Sequence, residues 1–490
     1  MSALYLSSAD GRVAVRGEAR YRLANTQTYS EWLWDGTRLH AHNCRLGVHP
    51  LFWRERANGI ALATSPLDLL EDGAQLDYAA LAVFLRLGFF VGEDTPFAGV
   101  RQLAPGSELN WDVARGVRLR TVSLPRGDRL LIDRDAAMDR YGALLRRAVA
   151  DCFPLDGRLC IPLSGGRDSR HIALALHELG VRPHACVTLK HLPGRHNEDA
   201  RIAAMVAHAL DAPHIVLEQP RFYVPNMLRN LHDSAMCADE GAQLPPLTDW
   251  LRANADIVFD GIAGDVMSAG LFQNAELHAL YGRGDLHGVA GKIFGDWKSS
   301  VRGWQHAIGR SLADKLSEDV ARARLVVELE RHQHHHNPAR SFYFWNRTRR
   351  EIALQPFALF KGLCVETPYL DAELWNFLDG LPYEMVADQR FHTDTIRRAY
   401  PAHAHIPFET KGQAQDATAV QRMLLGASLA PTLLRYGGWH RLPLMLRWVR
   451  LLAGVRVWWN PNMLLYMLAL MRISKDALRA PRHDAQTQAV

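Results

Sequence analysis

The 490-residue sequence predicts an α/β protein with a β-rich start, a parallel-sheet body and a helical tail. Three observations carry that expectation. Up to about residue 125, short apolar segments are punctuated by Gly and Asp turns, as antiparallel strands require. From about Asp133, helical runs and short apolar runs alternate, which is the pattern of a parallel sheet covered by helices. At residues 160–174, "CIPLSGGRDSRHIAL", an apolar run ends in Ser-Gly-Gly and passes straight into a helix.

Taken in order, "YLSSADGRVAVRGEARY" and "GVRLRTVSL" read as strands of the first part. "RDAAMDRYGALLRRAVADCF" repeats apolar residues at helical spacing. Residues 159–163 then form a buried strand, and a helix is expected from Asp168 to Leu179. Ser164, Gly165 and Gly166 between them make a turn without bulky side chains, where positive φ is accessible and amides can face an anion. A helix N-terminus opening onto that turn adds roughly half a positive charge. "HACVTL", "NEDARIAAMVAHAL" and "HIVLE" continue as strand, helix and strand, and residues 270–360 are mainly helical. The apolar tail from about Gly426 is broken by Arg447, Arg450, Arg456 and Pro461. Amphipathic helices are expected there instead of a spanning segment. They either pack on the body or touch a partner or an anionic membrane surface.

Composition narrows the function. With 48% hydrophobic and 22% charged residues and a net charge of +5, the chain is neither disordered nor basic enough to indicate nucleic acid. Cys44, Cys152, Cys160, Cys186, Cys237 and Cys364 form no C-x-x-C pair, so they read as reduced, packed thiols. "MSALYLSSADGR" has no basic leader or long apolar stretch, which makes the cytoplasm the expected compartment. "RHQHHHNPAR", with His332, His334, His335 and His336, is expected to be a polar loop and not a metal tract.

The chemistry is expected in two loops. "DIVFDGIAGDVMSAG" gives a strand over Ile257–Phe259 and a second glycine turn, Asp260 to Asp265. Ligands of open α/β sheets bind beyond the carboxyl ends of the strands. Asp168 and Asp265, one from each loop, are therefore the candidate ligands of a magnesium ion, which takes one or two carboxylates and fills its shell with phosphate and water oxygens.

"LSGGRDSR" resembles the S-G-G-x-D-S pyrophosphatase loop (PP-loop) of the asparagine synthetase family, and "DGIAGD" its second phosphate loop. "ETPYLDAELWNFLDGLP" and "TIRRAYPAHAHIPFETKGQ" are similar to its two later motifs, so the resemblance spans residues 140 to about 415. "RLGVHPLFW", "ALATSPLDLL" and "TPFAGVRQLAPGSEL" look like the second half of that family's glutaminase domain, with Ser2 where the nucleophilic Cys stands. The implied organisation is a truncated, Ntn-hydrolase-like unit over 1–125 without glutaminase activity, an ATP-pyrophosphatase synthetase domain over 126–425 and a helical extension over 426–490.

The resemblance implies an ATP- and Mg2+-dependent ligase that forms an acyl-adenylate and transfers the acyl group to ammonia or an amine. The acid is a small molecule or a peptide, and the ammonia free or from a separate source. It implies ATP contacts at Leu163, Ser164, Gly165, Gly166, Asp168, Ser169, Val187, Asp260 and Gly261, with Lys411 as a catalytic cation. Ile262 stands where asparagine synthetases have a Glu and β-lactam synthetases a Tyr. Cys364 replaces a further family Glu and Thr393 a family Lys, with His392 and Arg397 nearby. Glu366 is then either a base or a structural ion-pair partner, and Arg167 and Arg170 bind an anionic substrate or pair with local acids. An intramolecular amide-former of the β-lactam synthetase or lasso-peptide cyclase kind, or a non-catalytic nucleotide binder, are the alternatives.

Overall fold

The computed structural model describes residues 2–9, 12–71, 74–190, 197–219, 223–297, 310–409, 418–435, 442–457 and 461–477. Alternating burial in the first segments gives strands with one inward face, and these build two five-stranded antiparallel sheets. One sheet runs Arg12–Gly17, Ala3–Ala9, Gly59–Ala63, Phe52–Arg56, Arg101–Gln102. The other runs Gly116–Arg120, Glu108–Asp112, Leu39–Asn43, Tyr29–Trp34, Arg20–Ala24. Leu4, Leu6, Ile60 and Leu62 of the first meet Trp32, Trp34, Leu39 and Trp111 of the second in a shared core. The first sheet is buried on its other face as well, because Phe52, Ala61 and Ala63 belong to the large core of the rest of the chain. A helix the β-rich reading did not contain, Tyr78–Leu87, is capped by the Asp77 side chain and sits almost wholly in that core.

The body is a five-stranded parallel sheet in the order His214–Glu218, Ala185–Lys190, Leu159–Pro162, Ile257–Phe259, Cys364–Glu366. The predicted strands all occur, and the helix after the first glycine turn runs Asp168–Glu178. Asp133 caps the preceding helix, Arg134–Ala150, by accepting the Ala136 N–H. The fifth strand, Cys364–Glu366, is absent from the sequence-based reading. The strand order reverses beside Leu159–Pro162, so the two glycine loops leave adjacent strands at the same end of the sheet.

Two expectations change in part. The histidine tract is a polar loop, as expected, but a packed one: His332 is buried against Glu328, and His335 and His336 bind the side chain and carbonyl of Asp379. Only His334 of the four is exposed. Five of the cysteines are buried free thiols, but Cys364 is exposed. The tail forms three helices, Ala419–Arg435, Leu442–Leu452 and Pro461–Ala477, and among the described residues no helix is long and apolar enough to cross a membrane.

Candidate functional site

The first loop is tied from within and from the next helix. Ser164 N–H donates to Ser169 Oγ (3.1 Å), Gly166 N–H to Ser164 Oγ (3.2 Å) and Gly165 N–H to Asp199 Oδ1 (2.6 Å). Neither glycine uses positive φ, contrary to expectation. Gly165 is required by space: a Cβ there would stand 3.1 Å from Asp199 O and from Ile202 Cβ. Leu163, ahead of the loop, donates its N–H to Val187 O at 2.9 Å, and both side chains are buried.

The second loop closes onto Asp168. A Cβ on Gly261 would lie 2.8 Å from Asp168 Cβ, and one on Gly264 would lie 2.6 Å from Asp168 Cγ. Glycine at both positions lets the carboxylate slide under the second loop, whose Asp265 N–H donates to Asp168 Oδ2 at 3.0 Å. The turn also holds Ala263 at φ 77°, a left-handed conformation that costs about 1–2 kcal/mol outside glycine. Asp168 and Asp265 are thus brought together from positions 97 residues apart.

Asp168 Oδ1 is buried without a hydrogen bond. Burial, and then the charge of Asp265, pushes the Asp168 carboxyl well above its usual range. An orphaned carboxylate oxygen next to a second carboxylate is a hard-oxygen donor set, and it fits magnesium. No three His, Cys, Asp or Glu side chains converge on a metal position among the described residues. Asp260 keeps the second loop folded by accepting the Ile262 N–H (2.8 Å), and burial raises its pKa to about 6. Ile262 itself turns into the apolar core.

Behind Asp168 lies a buried polar group that sequence reasoning missed, apart from noting His392. His392 Nδ1 is 3.4 Å from Asp168 Oδ1 and 3.0 Å from Ser268 Oγ. Its Nε2 faces Tyr141 Oη (3.1 Å), His171 Nδ1 (3.2 Å) and Tyr369 Oη (3.4 Å). Burial first, and then His171, hold His392 well below the usual imidazole range, so it is neutral. These residues come from five separate elements, and no local spacing links them.

The flanking arginines divide. Arg170 is buried and committed to backbone: it donates to Gly165 O (3.1 Å), Ile406 O (3.2 Å) and Pro407 O (2.7 Å), and burial lowers its pKa to about 10. Arg167 is fixed only through Nε, which donates to Thr393 Oγ1 at 2.6 Å, and its guanidinium lies 5.8 Å from the centre of the Phe408 ring. No acid pairs with Arg167 among the described residues. Glu409 N–H donates to Gly165 O (3.0 Å), so the segment 406–409 is pinned to the loop. Lys411 lies outside the described residues.

Glu366 is 2% exposed and its contacts point elsewhere. Its Oε2 accepts the Thr26 N–H (3.2 Å) and its Oε1 the Cys364 thiol (3.6 Å). Among the described residues no cation pairs with it. The surrounding turn docks firmly: Asn25 Nδ2 donates to Val365 O (2.7 Å) and Thr367 N–H to Gln27 Oε1 (3.2 Å). Ser2 pairs through its backbone with Thr64, its N–H donating to Thr64 Oγ1 at 3.2 Å.

Residues 140–418 match the family profile described as Asparagine synthase. No curated protein matches the chain. Among solved structures, one titled "Structure of the allosteric regulatory enzyme of purine biosynthesis" shares 13% identity over 42% of this chain and 48% of its own, with a TM-score of 0.14. The chain spans about half the length of that structure, and the superposition is too poor to add to the fold.

Proposed function

Because the chain belongs to the asparagine synthase family of ATP-dependent amide-forming ligases, we propose that it activates a carboxylate with ATP and passes the acyl group to ammonia or an amine. A carboxylate oxygen attacks the α-phosphorus, the bond to the β-phosphate oxygen breaks, and pyrophosphate leaves with that electron pair. The amine nitrogen then adds to the acyl carbon of the resulting anhydride, AMP departs, and nitrogen loses a proton. The observation that carries this reading is the interlock of two loops around Asp168, which leaves one buried oxygen without a hydrogen bond beside Asp265.

The assignments follow the donors. Ser164, Gly165, Gly166 and Ser169 are assigned to the pyrophosphate cradle, where phosphate oxygens would take over N–H groups that Ser169, Asp199 and Ser164 accept from in the ligand-free loop, and Leu163, Val187, Asp260 and Gly261 are assigned to the remainder of the ATP site. Asp168 and Asp265 would hold Mg2+, which when bound neutralises charge on the departing pyrophosphate. Arg167, tethered at Nε, has its terminal nitrogens left for phosphate oxygens. Lys411 is the second cation, supported by the pinning of residues 406–409 to the loop. Glu366 is assigned to holding the first part of the chain against the sheet and not to proton transfer, since its oxygens are taken by Thr26 and Cys364.

In this proposal residues 1–125 are a truncated, Ntn-like scaffold without glutaminase chemistry, 126–425 the pyrophosphatase-loop synthetase and 426–490 an extension. A second reading, intramolecular amide formation, is favoured by Ile262, whose buried side chain offers no base to an external amine. Candidate acids incubated with ATP and ammonia should release AMP and pyrophosphate, and Asp168→Ala should abolish it. Tight nucleotide binding without any acid-dependent ATP–pyrophosphate exchange would make the chain a binder.

A further inference from the structure

The tail carries a feature the ligase reading does not use. Between Ala417 and Lys475 the sequence has eight Arg or Lys residues and no Asp or Glu. The last helix, Pro461–Ala477, anchors this segment: Met463, Leu464, Leu465 and Met467 are buried, and Tyr466 stacks on Phe84 and donates to Met236 O at 2.9 Å. The two preceding helices pack on each other, with Trp448 Nε1 donating to Gly426 O (2.8 Å) and Arg422 Nε to Gly454 O (2.6 Å). Leu429 and Leu433 point inward.

Their outer faces are apolar. On Ala419–Arg435 the exposed large side chains are Val420 (64%), Met423 and Leu424, at helical spacing. On Leu442–Leu452 they are Leu446 (58%) and Val449 (53%), with exposed Arg450 on the same face. A polar face is what water would select, and no charged residue stands among the exposed positions described on the first helix, up to Leu433.

We propose that this two-helix face docks on an anionic lipid surface, lying in the interface without crossing it. Exposed aliphatic side chains beside arginines, in a segment free of acids, match the chemistry of acidic headgroups over acyl chains. The charge pattern selects the lipid: an unmixed positive segment gains from a negative surface and gains nothing from a zwitterionic one.

The test uses the full chain and vesicles of phosphatidylcholine alone or mixed with phosphatidylglycerol. Sedimentation with the mixed vesicles, weakened by salt and at least tenfold weaker for Leu446→Glu/Val449→Glu and for Arg450→Glu, is the expected result. Unchanged circular dichroism of these surface variants guards against misfolding, and Met423→Glu provides an independent variant on the other helix. Equal binding to both vesicles, or none, overturns the proposal. So does a dimer in lipid-free solution that Leu446→Glu/Val449→Glu abolishes, because the face would then meet a second copy.

Discussion

Asp168 and Glu366 are both carboxylates tucked against the parallel sheet, yet their oxygens are served differently. Glu366 has a donor for each oxygen, one of them the backbone of a turn 340 residues away in sequence. Asp168 has one oxygen on the Asp265 amide and the other without a hydrogen bond, 3.4 Å from the neutral His392 ring, at a place where burial already disfavours its charge. An unsatisfied buried group costs about 1–3 kcal/mol, and more when charged. The fold gives each oxygen of Glu366 a donor and leaves Asp168 half-satisfied, which is what the proposed ligand role of Asp168 requires, and the left-handed Ala263 beside it is further strain in the same loop pair.

The sharpest way to break that contrast is Asp168→Asn, which keeps the shape under Gly261 and Gly264. Acid-dependent pyrophosphate release should fall by about 10³-fold, while thermal stability is kept or rises. Next comes Gly264→Ala, whose methyl would be forced against Asp168 Cγ. A displacement of this size should lower the rate about 10²-fold with Asp168 still present. Retained activity in either variant would remove the site from these loops.

A third, smaller effect concerns pH. Asp260 has a folded pKa of about 6 against an unfolded value near 4, so the folded state holds the extra proton. Ligand-free stability should therefore be greatest below pH ~4 for this group and decline by on the order of 2 kcal/mol as pH rises through about 6. Denaturant titrations across that window should show the slope, and Asp260→Asn should flatten it. The smallest effect is expected from Glu366→Gln, which keeps the acceptor for Thr26. Pyrophosphate release should change less than about threefold, because a neutral acceptor can still take the hydrogen bond. A loss of several hundredfold, with a shifted pH–rate profile, would return Glu366 to the role of base.

Much of the parallel sheet was legible because its signals are local. The Ser-Gly-Gly turn and the apolar spacing of Arg134–Ala150 each need only a few consecutive residues. The helix Tyr78–Leu87 is equally regular but sits inside a stretch dominated by turns, which masks its signal. The packing of the histidine tract was not legible because its partners, Glu328 and Asp379, are distant or unremarkable in sequence. Arg170 and Arg167 are equivalent by sequence beside Asp168, and only their surroundings separate a buried backbone clamp from a cation held through Nε by Thr393.

By itself the sequence determined the two glycine loops, their acids and the family they mark, since backbone room and charge at a strand end are properties of adjacent residues. Only the tertiary structure decided which oxygen of Asp168 lacks a hydrogen bond, that His392 and two tyrosines stand behind it, and that the N-terminal turn occupies Glu366. Those outcomes depend on elements meeting across tens to hundreds of residues, where desolvation and hydrogen-bond satisfaction are settled by packing.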